Sequence, residues 1–305
     1  MIRDGSPSFP PRLTPNRGPR ATTWFPWRTL ALCACLLLLT LVEARASGQG
    51  ALDAAQLVRY PYVQSTTSNS TVIAWATDVG GASEVRYSTD QSYSQVATAT
   101  STPVNGQYYH AATLTGLSAH TTYYYRIFTG GNDLTPWPTV TFTTATTGDS
   151  FTFLVYGDSR DGGQAARDLS AQMKLWSFDL ALHTGDITIG GQYDEYQDQY
   201  FAIYSDTIRS IPFYTSLGNH DYGVNPPQPY LDVFYLPENA PVGDEEEYYS
   251  FDWGNAHFVA LDTNQSYAPG SAQYNWLVND LENTHQYWKF VFFHHPPYSL
   301  SLIHI

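Results

Sequence analysis

Four residues able to bind metals stand at the ends of apolar runs. Phe151–Tyr156, Phe178–His183, Pro212–Leu217 and Lys289–Phe293 read as strands, and they lead into Asp158, Asp186, Asn219 and His294 respectively. In a mainly parallel sheet such strand ends share one edge, where ligand sites form. Side chains far apart in sequence are thereby expected to converge. Carboxylate and amide oxygens with imidazole suit Fe, Zn or Mn, and a shared carboxylate such as Asp186 offsets the repulsion between two cations. Two ions about 3.5–4 Å apart can hold a hydroxide at neutral pH and clamp a phosphoryl group for in-line attack. Hydrolysis of a phosphate ester is the chemistry this set would do.

The ordered motifs make that expectation specific. Tyr156-Gly157-Asp158-Ser159-Arg160, Gly185-Asp186, Gly218-Asn219-His220-Asp221 and Phe293-His294-His295-Pro296 resemble the calcineurin-like metallophosphoesterase family. One Gly-Asp pair would carry nothing; the whole series with Gly-Asn-His-Asp does. Residues 248–262 and 273–277 resemble that family's linking strands and helix. With a fibronectin-like module in front, the arrangement is most similar to the purple acid phosphatases and their bacterial relatives, over nearly the whole mature chain.

The resemblance implies that Asp158 binds a first metal, that Asp186 bridges, and that Asn219 and His294 bind a second, the pair being divalent or trivalent Fe, Zn or Mn. His220 is similar to the family's substrate-facing histidine, with Asp221 placed to orient it; the pair would protonate the leaving alkoxide or steady the phosphate. His295 either faces the phosphate or points away, since neighbours at a strand end alternate. His183 is expected to be support or core.

Three positions depart from the family pattern. The residue two after the first Asp is often a metal-binding His in the wider family; here it is Arg160. A guanidinium cannot ligate a cation, but it can grip phosphate bidentately or pair with a nearby acid. Purple acid phosphatases have a Tyr ligand three residues after the bridging Asp; here Ile189 stands there, which implies a relative without the charge-transfer colour. The family completes its site with a Gly-His-x-His loop on a later strand, and the chain ends eleven residues after His294. That loop is expected in a longer reading frame. The 305 residues alone are expected to be inactive or weakly active and to leave a sheet open.

These residues need elements to position them. From Leu57 to Thr147, short Thr/Ser/Tyr-rich alternating runs lie between turn pairs such as Gly80-Gly81 and Asn105-Gly106, a β-sandwich pattern. Leu114 to Arg126 resembles the tyrosine corner of a fibronectin type III module, with Trp75 as its core aromatic and the Tyr cluster read as packing. No role falls to His110 or His120. Past a polar joint at 145–150, Leu169, Met173 and Trp176 recur at helical spacing, as do Tyr193, Tyr196, Tyr200 and Tyr204. Strands alternating with helices imply an α/β domain over 151–305.

Composition narrows the partners. The chain carries 14 basic and 28 acidic residues. That field repels a phosphate polymer, which excludes a basic nucleic-acid surface. Phosphate must therefore be drawn in by local cations. Residues 1–46 read as a signal peptide: arginines, the apolar run Leu30–Val42, then Ala44-Arg45-Ala46. Its apolar run is too short to span a bilayer, so no stable membrane span is expected after cleavage. Both cysteines, Cys33 and Cys35, fall in this leader, so the mature part has no disulfide. The acidic run Asp244–Glu247 reads as a solvated loop.

The resulting expectation is a secreted phosphatase acting on a phosphorylated small molecule through a binuclear centre and a metal-bound hydroxide. A phosphodiesterase or nucleotide hydrolase on the same scaffold is the nearest alternative. An extracellular binding protein with a decayed metal domain is the third.

Overall fold

The computed structural model describes residues 54–298. The leader with Cys33 and Cys35, and the terminal His304, lie outside the described residues. Among those residues, no helix is long and apolar enough to cross a membrane.

The first half is an antiparallel sandwich of β1 (Leu57–Gln64), β2 (Ser70–Thr77), β3 (Ser83–Ser88), β4 (Gln95–Val104), β5 (Gln107–Thr115), β6 (Thr122–Thr129), β7 (Asn132–Asp133) and β8 (Thr141–Thr143). The strand order is β1-β2-β5-β4-β3-β6-β7, with β8 on β6. β4 runs five residues past its sequence expectation of Gln95–Ala99. Its first half pairs with β3 and its second with β5. Its Thr/Ser texture, exposed along most of its length, carries no apolar signal to mark that extension. Trp75 is buried as expected and donates Nε1–H to Thr129 Oγ1 at 3.1 Å. The Tyr123 hydroxyl accepts from the Ser118 N–H at 2.9 Å, the corner that the motif implied.

The second half corrects the single-sheet expectation. β9 (Phe153–Tyr156), β10 (Leu180–His183) and β11 (Phe213–Thr215) form one parallel sheet in the order β11-β10-β9. A separate sheet holds β12 (Tyr249–Trp253), β13 (Ala256–Ala260) and β14 (Trp288–Phe292), with β13 antiparallel to β12 and parallel to β14. The fourth ligand strand, β14, therefore comes from the second sheet. The two layers meet through aromatic rings: Phe153 packs edge-on against Phe258 and Phe290 at 5.2 and 5.1 Å. Such pairs add roughly 0.5–1.5 kcal/mol each beyond area burial.

Helix α1 (Gln164–Met173) buries Met173, but it ends there, and Trp176 stands 73% exposed beyond it. The helical stripe read through Trp176 was one turn too long. The tyrosine stripe is buried at Tyr196, Tyr200 and Tyr204. It lies on α2 (Tyr193–Glu195), a π-helical turn (Tyr196–Phe201) and α3 (Ala202–Ile208), which run on without a break. Helix α4 (Gln228–Val233) follows β11, and α5 (Ala272–Asn283) connects β13 to β14.

The sandwich and the sheets share one core, in which Tyr62, Ala74 and Tyr109 pack with residues of α3, α4 and β11. Gln64 Nε2 donates to the Phe213 carbonyl at 3.1 Å, and the Tyr214 hydroxyl to the Thr66 carbonyl at 2.7 Å. The buried Arg59 guanidinium lies over the rings of Tyr109 and Phe201, at 4.8 and 3.9 Å. Among the described residues β9 and β14 each pair on one side only, and each carries an exposed apolar side chain, Val155 and Trp288.

One ionic tie in this frame is pH-dependent. His257 on β13 places Nδ1 2.7 Å from Asp252 Oδ1 and Nε2 2.7 Å from Asp280 Oδ2 on α5. Both nitrogens face carboxylates, which suits the imidazolium. Burial opposes the charge, but the two carboxylates outweigh it and raise the pKa above the usual histidine value. A raised folded-state pKa gives stability that is full below the unfolded value and is lost as pH rises through the folded one. His257→Gln is therefore expected to cost about 2 kcal/mol at pH 5, the range for a charge-assisted bond. The gap to wild type should shrink above the ordinary histidine range. Denaturant midpoints measured across pH check both the size and the slope.

Candidate metal centre

β9, β10 and β11 end at one edge of the first sheet and deliver Asp158, Asp186 and Asn219 in the turns that follow. Asp158 and Asp186 both adopt the left-handed region, with φ of 51° and 57°. This conformation costs an ordinary L-residue roughly 1–2 kcal/mol, with Asp and Asn among the tolerant types. Backbone bonds between the two turns hold it: Asp158 N–H donates to the Gly185 carbonyl at 3.0 Å, and Arg160 N–H to the Asp186 carbonyl at 3.2 Å. The turns approach so closely that two positions must be glycine. A Cβ on Gly185, at φ 89°, would sit 2.7 Å from the Gly218 nitrogen. A Cβ on Gly218 would land on the nitrogen and Oδ1 of Asp186.

His294 enters this edge from β14. Ligand atoms of Asp158, Asp186 and His294 all lie within 4.8 Å of one another. His294 Nε2 is 3.1 Å from Asn219 Oδ1 and 3.4 Å from Asp186 Oδ1. Its Nδ1 is 3.0 Å from the Thr184 carbonyl, an acceptor, so Nδ1 carries the proton in the neutral ring. The Nε2 lone pair then faces the carboxylate and amide oxygens. Converging acceptors of this kind repel one another, and a cation suits the set beside the Arg160 guanidinium that already pairs with Asp186. All four residues expected from sequence are thus brought together, although two sheets supply them.

The surrounding residues differ more from expectation. Arg160 Nη1 pairs with Asp186 Oδ2 at 2.7 Å, so its acid is the buried carboxylate at the centre of the site rather than a surface one. His220 is oriented by the Ile189 carbonyl, 2.6 Å from Nδ1, and its Nε2 lies 4.0 Å from Asp186 Oδ2. Asp221 therefore does not orient the His220 ring. It is fully buried and turned the other way, accepting N–H bonds from Asp186 and Gly218 at 2.9 Å, Ile187 at 3.2 Å and Thr188 at 3.3 Å, and the Tyr196 hydroxyl at 3.1 Å. It clamps the Asp186 turn to the Gly218 turn. Burial raises its pKa to about 6, against the lowering effect of the Gly218 and Ile187 amides.

His295 Nδ1 is 2.8 Å from Thr263 Oγ1, and burial lowers its pKa. The acidic run 244–247 is not simply solvated. Glu246 accepts from the Leu236 N–H at 2.7 Å, and burial pushes its pKa up to about 8. Glu247 accepts from the Tyr222 hydroxyl at 3.2 Å and from the Gln265 amide.

Sequence reasoning missed the role of Thr184, whose backbone carbonyl gives no sequence signal. It also missed the clamp by Asp221 and its Tyr196 partner. A usable signal was present in the glycine that precedes each of the first three ligands.

Comparisons with known proteins give the family and the fold. Residues 59–144 match the family model described as purple acid phosphatase, N-terminal domain, and residues 151–304 match calcineurin-like phosphoesterase. Purple acid phosphatase 21 of Arabidopsis thaliana is 26% identical over 204 residues, covering 64% of this chain and 45% of that protein. A probable glycerophosphodiester phosphodiesterase of Arcobacter nitrofigilis is 27% identical over 133 residues, 42% of this chain and 45% of the other. The solved purple acid phosphatase PPD1 of yellow lupin has the same fold, with a TM-score of 0.68 at 17% identity, over 78% of this chain and 50% of that one. The chain spans about half the length of these relatives.

Proposed function

Because the chain belongs to the calcineurin-like phosphoesterase family, we propose that the full-length protein is a secreted, metal-dependent phosphatase hydrolysing phosphate monoesters at a binuclear centre. The observation that carries this is the convergence of Asp158, Asp186, Asn219 and His294. Metal ions there would supply Lewis acidity and a nucleophile at neutral pH. Asp158 and Asp186 would hold one ion, and Asp186, Asn219 and His294 the other. Secretion rests on the leader sequence at residues 1–46.

The chain's own groups do the rest. His220, held by the Ile189 carbonyl, keeps Nε2 turned towards Asp186 and available to a leaving oxygen. Arg160 brings a permanent positive charge to the same carboxylate. A local cation beyond the metals favours a dianionic monoester over a monoanionic diester. Arg160→Gln is expected to raise KM for a monoester about tenfold with a smaller change in kcat, the loss of one charge-assisted bond. Steady-state kinetics on the two proteins read this directly.

The function itself is tested with p-nitrophenyl phosphate and bis-p-nitrophenyl phosphate. The metal-loaded full-length protein should turn over the monoester faster and lose activity to a chelator. A faster diester reaction would move the assignment to the phosphodiesterases. No turnover of either ester would remove the enzyme.

A further inference from the structure

His183 ends β10 in a fully buried position, three residues before Asp186, and takes no direct part in the ligand cluster. Its Nδ1 accepts the Gly185 N–H at 3.1 Å. The ring proton of neutral imidazole must then be on Nε2, which lies 2.8 Å from Ser159 Oγ. Ser159 is the acceptor of that bond and is itself buried, so the pair is not a nucleophile and its base. The Tyr156 ring meets the imidazole edge-on at 4.4 Å and fixes its plane.

The two partners are not arbitrary. Ser159 immediately follows Asp158, and Gly185 immediately precedes Asp186. Both aspartates occupy the left-handed region and need their neighbours to hold them there. One rigid ring thus spans the two ligand turns from beneath. We propose that His183 is a positioning residue that fixes Asp158 relative to Asp186 through Ser159 and Gly185, and so sets the affinity of the site for a divalent cation. This rests on reading the cluster as a metal centre. Outer partners of ligand-bearing groups typically govern about 10–100-fold of metal affinity.

The experiment is Mn2+ titration of the metal-free protein, followed by the loss of the free-ion paramagnetic signal, with thermal unfolding of the metal-free forms in parallel. Ser159→Ala removes one end of the tie. His183→Asn keeps an acceptor near the Gly185 N–H and loses the donor to Ser159. Both are expected to weaken Mn2+ binding about tenfold. Ser159→Thr, which restores the hydroxyl, should recover the affinity. In an Asp158→Asn background, Ser159→Ala should have no further effect on Mn2+, because the group being positioned is gone. A merely structural role would lower the unfolding temperature and leave the Mn2+ affinities alike, or would act equally in both backgrounds; either result overturns the proposal. A wild type that binds no Mn2+ takes down the metal-centre reading and this proposal with it. A wild type that binds, with Ser159→Ala unchanged, overturns this proposal alone.

Discussion

Asp186→Asn is expected to lower kcat/KM for a phosphate monoester by about a thousandfold or more, a loss of roughly 4 kcal/mol of transition-state stabilisation. Asp186 sits at the middle of the site. Its Oδ1 accepts the His220 N–H at 3.0 Å and lies 3.4 Å from His294 Nε2, while Oδ2 holds Arg160 at 2.7 Å. Asparagine matches its volume and tolerates its positive φ, so the turn should persist. What goes is the negative charge that lies between Arg160 and His294 and that the proposed binuclear centre would share. With Arg160 and any bound cation left uncompensated, metal binding should weaken. Steady-state kinetics on full-length wild type and variant, with thermal unfolding to confirm folding, decide it. Equal rates would remove the metal mechanism.

Asp221→Asn should damage the frame rather than the chemistry, by about 3–5 kcal/mol of stability. The carboxylate receives four backbone N–H donors from two turns and one tyrosine hydroxyl, all on a fully buried group. Asparagine offers one acceptor oxygen and presents N–H to donors. The amides at 186, 187, 188 and 218 cannot all be satisfied, and a buried donor without a partner costs about 1–3 kcal/mol. The two turns that carry Asp186 and Asn219 would then separate, so cation binding should fall alongside stability. Denaturant unfolding at neutral pH measures the first and a metal titration the second. A stability change below about 1 kcal/mol would show that the clamp is not needed.

The candidate ligands were legible in the sequence because strand ends announce themselves. An apolar run that stops at Gly-Asp or Gly-Asn marks both the strand and the turn, and at 157, 185 and 218 the glycine lets the turns crowd together. The partition into two sheets was not legible. β9, β10, β11 and β14 all read as apolar strands, and nothing in their residues says that β14 pairs with β13. The role of Asp221 was misread for a similar reason. Adjacency to His220 suggested a side-chain pair, but successive residues at the start of a helical turn diverge, and the carboxylate faces backbone amides instead. Trp176 matched helical spacing by coincidence, three residues past the end of α1. Glu246 and Glu247 looked solvated because charge runs usually are, whereas their partners Leu236 and Tyr222 come from distant segments.

The central claim is that side chains from two sheets are gathered to cage a cation. Mn2+ titration of wild type beside Asp158→Asn, Asp186→Asn and His294→Ala tests it most directly. Wild type should bind with a measurable affinity, and each substitution should weaken it by about tenfold or more. A wild type that ignores Mn2+, or three variants that bind as wild type does, would contradict it.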